Sequence, residues 1–268
     1  MATRISAIDP TAAPIDNEYY SEIGDAWWDT SGPLRLLHDM NPTRVSYFDG
    51  VLRGSHPHRS PTELRIMDIG CGGGLVSEAL AKLGYRVTGL DMSEGAVRAA
   101  RRHAAATGVD VTYRVGSAYE LPAADGSLDA VVISDVLEHL HDLPTAVREI
   151  SRVLRPGGLL LFDTINRTVT SYLVTVLLAE RVLRFIRPGT HNWSMFIRPR
   201  ELRGLFARNA LHLVSMRGLA PKVRPAGLVS ALRGGALGEF TLTDSLRASY
   251  LGHAVKQAIS PRPVHNDR

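Results

Sequence analysis

Short apolar runs alternate with amphipathic segments through the middle of this 268-residue chain. Apolar or β-branched runs of about four to eight residues predict buried strands, whereas apolar positions three and four apart predict helices. Strands are predicted at residues 64–69, 86–90, 111–115, 128–134 and 159–164. Helices are predicted between them at residues 74–83, 93–106 and 144–154. This alternation predicts a doubly wound α/β fold, in which helices cover both faces of a parallel sheet.

The two ends of the chain depart from this alternation. Residues 17–60 predict a helical cap and linker, with helices at 18–29 and 33–48 and a Gly/Pro/Ser/His linker at 54–61. Beyond the fifth strand, the pattern predicts a helix at 200–209, a strand at 212–217, a Gly/Pro/Arg stretch at 218–238 and a last strand at 249–255. We therefore expect one domain over residues 61–257, with disordered termini at 1–16 and 258–268.

Composition excludes several classes of protein. Cys71 is the only cysteine, so neither an internal disulfide nor a Cys-rich zinc site can form. The formal net charge of +4 is too small to indicate a nucleic-acid partner. No apolar run reaches the roughly 18 residues that a membrane-spanning helix needs, and residues 1–16 lack a secretion signal pattern. We therefore expect a cytoplasmic protein without a nucleic-acid partner, and the oligomeric state stays open.

A glycine-rich loop joins the first strand to the first helix of the predicted sheet. It reads Asp68-Ile69-Gly70-Cys71-Gly72-Gly73-Gly74. Glycine lets a backbone turn sharply and approach a ligand closely, with amides exposed at a helix N-terminus. Leu75 stands where a dinucleotide-binding loop has its third glycine. The pattern instead resembles the first motif of class I S-adenosylmethionine (SAM) methyltransferases, whose loop wraps the amino-acid end of the cofactor. The alternative is a glycine-rich turn without a ligand.

Polar residues also follow the next three predicted strands. Asp91 ends the second strand, where a carboxylate can accept hydrogen bonds from both ribose hydroxyls; helix capping is the alternative. Ser117 and Ser134 follow the third and fourth strands, where the resemblance implies adenine contacts and closure over the cofactor. The resemblance thus implies SAM contacts from Asp68, Gly70, Cys71, Gly72, Asp91, Met92, Ser117, Ala118 and Ser134.

Further segments resemble a narrower family, the ubiquinone-pathway O-methyltransferases. These segments are residues 20–29, 37–44, 135–139, 166–167, 187–191 and 196–197. Enzymes of that family methylate catechol-type hydroxyls on polyprenylated rings. The resemblance, which covers roughly residues 17–218, implies a Rossmann-like seven-stranded methyltransferase sheet with an antiparallel last strand. It also implies that Arg44 of an Asn-Pro-x-Arg motif contacts the cofactor, the alternative being a charge on a helix surface.

Three residues after the fourth strand form a candidate metal site. Asp135, Glu138 and His139 are spaced so that one helical turn would bring their side chains to one face. Two carboxylates and an imidazole can hold a divalent cation, and oxygen-rich ligation favours Mg²⁺. The resemblance implies such a metal, which would lower the pKa of a chelated catechol hydroxyl. The alternative is a structural role, because Leu-Glu-His also occurs at this place in relatives without metals.

Candidate proton acceptors lie in the same region and farther along the chain. Imidazole titrates near neutral pH, which makes His139, His141 and His191 candidate general bases. We take Glu138, His139 and His191 as the catalytic set. The alternative for each histidine is a hydrogen-bonded structural residue.

Residues 171–187 are apolar but carry interleaved arginines, Arg181, Arg184 and Arg187. Such an amphipathic helix is too short and too charged to span a bilayer and suits the lipid headgroup layer. The alternative is a lid over the active site, and residues 171–197 are accordingly predicted as an inserted lid or membrane helix and loop. We therefore expect peripheral membrane contact and a hydrophobic small-molecule acceptor.

Together these features predict a SAM-dependent methyltransferase. The favoured acceptor is a phenolic or catechol-type hydroxyl of a quinol-like small molecule. The first alternative is a secondary-metabolite methyltransferase that acts on O, N or C of a soluble small molecule. A second alternative, from another class, is a catalytically silent SAM-binding or lipid-surface protein, which the intact loop and acids disfavour.

Overall fold

The computed structural model describes residues 17–173, 192–222 and 238–258. Within these ranges a single sheet contains eight strands in the order β3-β2-β1-β4-β5-β8-β6-β7. The strands are β1 (Arg65–Ile69), β2 (Arg86–Asp91), β3 (Thr112–Val115), β4 (Leu128–Ser134), β5 (Leu154–Ile165), β6 (Leu211–Pro221), β7 (Phe240–Thr243) and β8 (Ser249–Lys256). The first five strands pair in parallel, whereas β8, β6 and β7 pair antiparallel. The mixed α/β class is therefore confirmed.

Helices precede, separate and cover these strands. They are α1 (Asn17–Glu22), α2 (Arg35–Ser55), α3 (Leu75–Lys82), α4 (Glu94–Thr107), α5 (Leu143–Val153), the short α6 (Val169–Ser171) and α7 (Pro199–Arg208). Four 3₁₀ turns lie at Gly24–Trp28, Pro61–Glu63, Leu137–His139 and Trp193–Met195. Each helix in the described ranges is too short or too polar to cross a lipid bilayer.

The predicted count of seven strands is wrong for the described residues, because a short strand is added at the edge. β7 pairs with β6 at the edge of the sheet, and the last strand, β8, lies between β5 and β6 and is antiparallel to β5, as expected of it. Phe240 of β7 is buried against Met40 and Leu219. Only four residues long, β7 follows a Gly/Pro/Arg stretch that carries no strand pattern, so local sequence did not predict it.

Several predicted boundaries also differ from the structure. The helix predicted at 18–29 breaks at Gly24, whose φ of 56° is incompatible with a right-handed helix. α2 runs seven residues beyond the predicted end at 48, because Leu52 extends the buried face begun by Phe48 one helical turn further. The linker is correspondingly shorter. β5 begins at Leu154 rather than at the predicted residue 159, and its register against β4 shifts between Leu128 and Ala130.

The inserted helix at 171–187 lies almost entirely outside the described residues. Only its start, through Leu173, is described. The predicted disordered termini at 1–16 and 258–268 also lie outside the described ranges, except for residue 258.

The buried carboxylate of Asp129 connects three residues at the amino edge of the sheet. Asp129 Oδ1 accepts hydrogen bonds from Arg59 Nη1 at 2.5 Å and Arg155 Nε at 2.7 Å. Its Oδ2 accepts from the Arg65 amide at 2.8 Å. Burial alone would raise the pKa of Asp129, but these hydrogen bonds outweigh it and lower the pKa to about 2.

We predict that Asp129→Asn lowers the free energy of unfolding by about 2–3 kcal/mol, since a charge-assisted acceptor of three hydrogen bonds is lost. The folded-state pKa lies below the ordinary 3.8. The contribution is therefore fully present above about pH 4 and is lost as pH falls toward 2. Urea denaturation from pH 7 to pH 3 measures both effects. Asp125→Asn is the control, because its exposed pair with Arg152 contributes less than about 1 kcal/mol; equal losses in the two variants would contradict the prediction.

Candidate functional site

The carboxyl ends of the parallel strands bring the polar residues of this chain to one edge of the sheet. The strand order reverses between β1 and β4, because the connection from β1 leads to β2 on one side and the chain later returns as β4 on the other. Ligands of open α/β sheets bind in the crevice at such a switch point. The glycine loop follows β1, Asp91 ends β2, Asp135 follows β4 and Asp163 lies near the end of β5.

Backbone conformation and packing both require glycine at several positions of this loop. Gly70, Gly72 and Gly74 have φ values of 70°, 52° and 93°. A Cβ on Gly70 would lie 2.3 Å from Val136, and a Cβ on Gly72 would lie 2.3 Å from the Trp27 ring. Only glycine therefore fits at these positions, because Val136 and the Trp27 ring occupy the space that a side chain would need.

Asp68 lies beneath this loop. Its buried carboxylate accepts a hydrogen bond from Ser77 Oγ of α3 at 2.6 Å. Burial raises the pKa of Asp68 to about 7, with the charge of Asp91 adding to the effect and the Ser77 hydrogen bond opposing it. This contact joins β1 to α3. Cys71 is buried against Val97 and Tyr113, and burial raises the pKa of its thiol, which suits a packing role.

Asp91 connects the glycine loop to the start of α4. Its Oδ2 accepts from the Gly72 amide at 2.8 Å, and its Oδ1 accepts from the Ser93 amide at 2.8 Å. Burial raises the pKa of Asp91, while these amide hydrogen bonds oppose the rise. A carboxylate has about four lone-pair sites, so each oxygen keeps one for a ligand hydroxyl.

The remaining predicted cofactor residues surround this crevice with different degrees of exposure. Met92 is exposed beside Asp91, and Ser117 and Ala118 follow β3 with partial exposure. Ser117 Oγ accepts from the Tyr119 amide at 3.1 Å. Ser134 donates its hydroxyl hydrogen to Asp163 Oδ1.

A buried arginine from the cap reaches the ends of β4 and β5. Arg44 of α2 is 3% exposed, and its Nη2 lies 2.5 Å from Asp135 Oδ2 and 3.0 Å from Asp163 Oδ2. Burial raises the pKa of Asp163 well above its ordinary value; Arg44 opposes the rise and Asp135 adds to it. Sequence reasoning missed Asp163, although an acid inside the apolar run of β5 was a signal for it.

The spacing argument for a metal site is wrong at this place. Asp135 has a left-handed φ of 53°, and Leu137–His139 is a 3₁₀ turn, so the three proposed ligands do not share a turn of α-helix. Asp135 bonds to Arg44, and Glu138 Oε2 accepts from Thr164 Oγ1 at 2.8 Å. Among the described residues, no three His, Cys, Asp or Glu side chains are grouped to hold a metal ion. As arranged here the set does not fit a divalent cation, and the Mg²⁺ requirement stays a prediction of the sequence.

The structure describes two of the three predicted histidines. His139 ends the 3₁₀ turn after β4, so it lies at the crevice, half-buried. The His141 backbone amide donates a hydrogen bond to the Tyr119 hydroxyl oxygen at 2.9 Å. His191 is outside the described residues.

The helical cap covers the glycine loop, a contact that sequence reasoning did not specify. Trp27 packs on Gly72 and Gly73, and Trp28 Nε1 donates to the Gly73 carbonyl at 3.0 Å. The Trp28 ring stacks on His103 of α4 with centroids 3.4 Å apart. Burial raises the pKa of the Tyr20 phenol, and the charges of nearby Tyr19, Asp135 and Glu138 raise it further. The Tyr20 phenol therefore stays neutral near these acids.

Comparisons with known proteins agree with this geometry. A family model described as "Methyltransferase domain" matches residues 67–162. The chain is 41% identical over 205 residues to the ubiquinone biosynthesis O-methyltransferase of Methylobacterium nodulans, an alignment that covers 75% of this chain and 82% of that protein. It is 41% identical over 229 residues to the protein of the same name from Alkalilimnicola ehrlichii, covering 85% of each.

Solved structures show the same fold at lower identity. The magnesium protoporphyrin IX methyltransferase of Synechocystis PCC 6803, solved with bound S-adenosylhomocysteine (SAH), superimposes with a TM-score of 0.60 at 18% identity. The superposition covers 90% of this chain and 98% of that chain. At 18% identity, this structural similarity shows that the two proteins share a fold and nothing more.

We predict that Asp91→Ala weakens the binding of SAH by at least about tenfold. The reason is that hydrogen bonds to a charged acceptor contribute about 1.5–3 kcal/mol each. Calorimetric titration with SAH measures the dissociation constant, and Asp110→Ala, at an exposed acid outside the crevice, is the control. Unchanged affinity in Asp91→Ala, at unchanged thermal stability, would refute the role of this carboxylate.

Proposed function

We infer the reaction of this chain from one premise: the chain belongs to the family of ubiquinone biosynthesis O-methyltransferases, and it is a SAM-dependent methyltransferase. We propose that it transfers the methyl group of SAM to a phenolic or catechol-type hydroxyl of a hydrophobic, quinol-like small molecule. The observation that carries the proposal is the Asp91 carboxylate, which is fixed by the Gly72 and Ser93 amides beside the glycine loop.

The polar and glycine residues at this crevice match the groups of an adenosyl amino acid. The glycine loop has no room for side chains at Gly70 and Gly72, so it presents backbone groups. Asp91 has lone pairs for two hydroxyls. In this proposal Gly70, Gly72 and Cys71 follow the amino-acid end of the cofactor and Asp91 binds the ribose. Bound SAM supplies an electrophilic methyl group on a sulfonium sulfur. Further cofactor contacts are proposed for Asp68, Met92, Ser117, Ala118, Ser134 and Arg44.

The protein's contribution to the reaction is alignment and proton removal. An aligned nucleophile and methyl carbon gain several kcal/mol from orientation alone. We propose that Glu138, His139 and His191 orient the acceptor hydroxyl and take its proton. Glu138 is buried, and its Oε2 accepts a hydrogen bond from Thr164 Oγ1, which suits a positioning role toward that hydroxyl. Tyr20 brings its phenol to the same side.

A specific observation favours the soluble-acceptor alternative as the second candidate. Among the described residues, the two acids and the imidazole after β4 are not grouped as a metal site that could chelate a catechol. An acceptor with a single reactive O, N or C atom does not need one. The two candidates therefore differ in the product they form.

We predict that a catechol carrying a prenyl or alkyl tail gives one product, a phenolic methyl ether. Each additional buried CH₂ contributes about 0.8 kcal/mol, so a longer tail should raise kcat/KM by about tenfold or more. Product analysis by mass spectrometry and NMR checks the methylated atom, and the same ring with the reactive hydroxyl already methylated is the control. Methylation on N or C, or turnover of untailed polar acceptors only, would support the alternative and contradict the proposal.

We further propose peripheral contact with a lipid surface around the insertion. Apolar side chains are exposed on both sides of residues 174–191: Val169 is 71% exposed and Leu173 is 48% exposed, and Tyr172 contacts Trp193 ring to ring. Clustered exposed apolar side chains are typical of interaction sites. Arg181, Arg184 and Arg187 would add attraction to anionic headgroups, about 1 kcal/mol each near the surface.

We predict that the protein sediments with vesicles containing anionic lipid more than with neutral ones, and that added salt reduces the difference. Changing Arg181, Arg184 and Arg187 to Gln should remove most of the preference for anionic lipid. Leu173→Ser should weaken binding to both lipid types, because it removes exposed apolar surface. Equal and negligible binding of the unmodified protein to both vesicle types would rule out the lipid contact.

A further inference from the structure

We propose that Glu78 and His103 are positioning residues for the cofactor. They hold the Trp28 ring in place, and Trp28 in turn holds the Gly73 carbonyl of the glycine loop. The loop thereby keeps the conformation that receives the amino-acid end of SAM. This inference rests on the proposed use of SAM and deepens it, because two residues of α3 and α4 that are not proposed to touch the cofactor set part of its affinity.

The first observation is a buried acid that the proposed reaction does not use. The Glu78 side chain is fully buried in the first turn of α3. A buried charge needs partners that compensate its lost hydration. Its Oε1 accepts a hydrogen bond from His103 Nδ1 at 2.8 Å. Its Oε2 lies 3.6 Å from Lys82 Nζ and 3.5 Å from Thr107 Oγ1, so the imidazole is the closest partner of this acid.

The second observation is the parallel stack of the His103 and Trp28 rings. Their centroids are 3.4 Å apart, and their planes differ by only 5°. The hydrogen bond to Glu78 fixes the orientation of the imidazole, and the stack passes that orientation to the indole. A second imidazole, that of His38, meets the Trp28 ring at an angle of 66°, with centroids 6.2 Å apart. The indole is therefore oriented by neighbours on more than one side.

The third observation is that these contacts form a closed ring with the glycine loop. Trp28 Nε1 donates to the Gly73 carbonyl at 3.0 Å, and the Glu78 amide donates to the Gly74 carbonyl at 2.9 Å. The ring of contacts therefore begins and ends on neighbouring loop residues and passes through His103. Because the peptide unit is planar, fixing these two carbonyls fixes the two peptide planes that lead from the loop into α3.

The ribose site is held separately from this ring. Asp91 Oδ2 accepts from the Gly72 amide at 2.8 Å, on the opposite side of the loop from Trp28. Loss of the His103 contacts should therefore loosen the loop where it enters α3 and leave Asp91 in place. The loop is proposed to follow the amino-acid end of the cofactor. Ligands that carry this end should accordingly lose affinity, and ligands that lack it should not.

The test compares two ligands that differ only at that end. SAH carries the amino acid, whereas 5′-methylthioadenosine has the same adenosine and thioether sulfur without it. His103→Leu removes both the ring stack and the donor to Glu78. We expect it to weaken SAH binding by about 5–20-fold in calorimetric titration, because a stacked pair and a hydrogen bond are lost. Methylthioadenosine binding should change by less than about twofold.

Two milder variants separate the parts of the ring. His103→Phe keeps a ring against Trp28 without the donor, so its SAH affinity should lie between those of the unmodified protein and His103→Leu. Trp28→Phe keeps a ring against His103 and removes Nε1, so it should reproduce most of the loss. Adding His103→Leu to Trp28→Phe should then weaken SAH binding by less than about twofold more, because His103 acts through Trp28. If His103→Leu does not fold, the two Phe variants carry the same comparison.

Arg102→Gln is the matched control. Arg102 precedes His103 on α4, and its Nη2 lies 2.7 Å from Asp25 Oδ1 of the cap. Both side chains of this pair are more than half exposed, so it joins the cap to α4 through solvent-facing groups and not through the Trp28 ring. Its loss should leave the affinity for both ligands unchanged.

Four results would overturn the inference. Unchanged SAH binding in His103→Leu and Trp28→Phe would mean that the loop does not depend on them. Equal weakening of both ligands, or an equal loss in Arg102→Gln, would mean that His103 only supports the docking of the cap. Full additivity in the double variant would mean that His103 does not act through Trp28. An unmodified protein that binds neither ligand would instead refute the proposed function itself.

Discussion

One buried guanidinium connects the helical cap to the carboxyl edge of the sheet. Arg44 is charged, 3% exposed and bonded to both Asp135 and Asp163. A buried charge is tolerated only when partners compensate its lost hydration, and the removal of one partner leaves another charge uncompensated. The position of α2, the left-handed backbone at Asp135 and the acid inside β5 are therefore mutually dependent. Strain of this kind persists where the surrounding structure over-determines it.

The cap has a second connection to the sheet through the glycine loop. Trp27 occupies the space that side chains on Gly72 and Gly73 would need, and Trp28 bonds to the loop and stacks on His103. Asp91 holds the other side of the loop through the Gly72 amide. The glycine loop is thus fixed between the cap and β2. The same contacts make the cap a wall of the crevice, so residues far apart in sequence build one site.

The sequence predicted the features that depend on local pattern. The five parallel strands follow from short apolar runs, and the glycine loop and Asp91 follow from their places at strand ends. Features that depend on distant partners were not predicted. Asp163 acquires its role from Arg44, 119 residues away, and β7 exists because β6 offers it an edge. The assumption that one helical turn aligns the three proposed metal ligands does not hold, because Asp135 adopts a left-handed backbone conformation; the metal itself stays a prediction.

The account's central claim is that the carboxyl edge between β1 and β4 binds SAM with its ribose on Asp91. A crystal structure of the protein with SAH tests this most directly. The account predicts both ribose hydroxyls within hydrogen-bond distance of the two Asp91 oxygens, with the Gly72 and Ser93 amides still bonded to them. A ribose bound elsewhere, with the Asp91 oxygens facing only the protein, would contradict it.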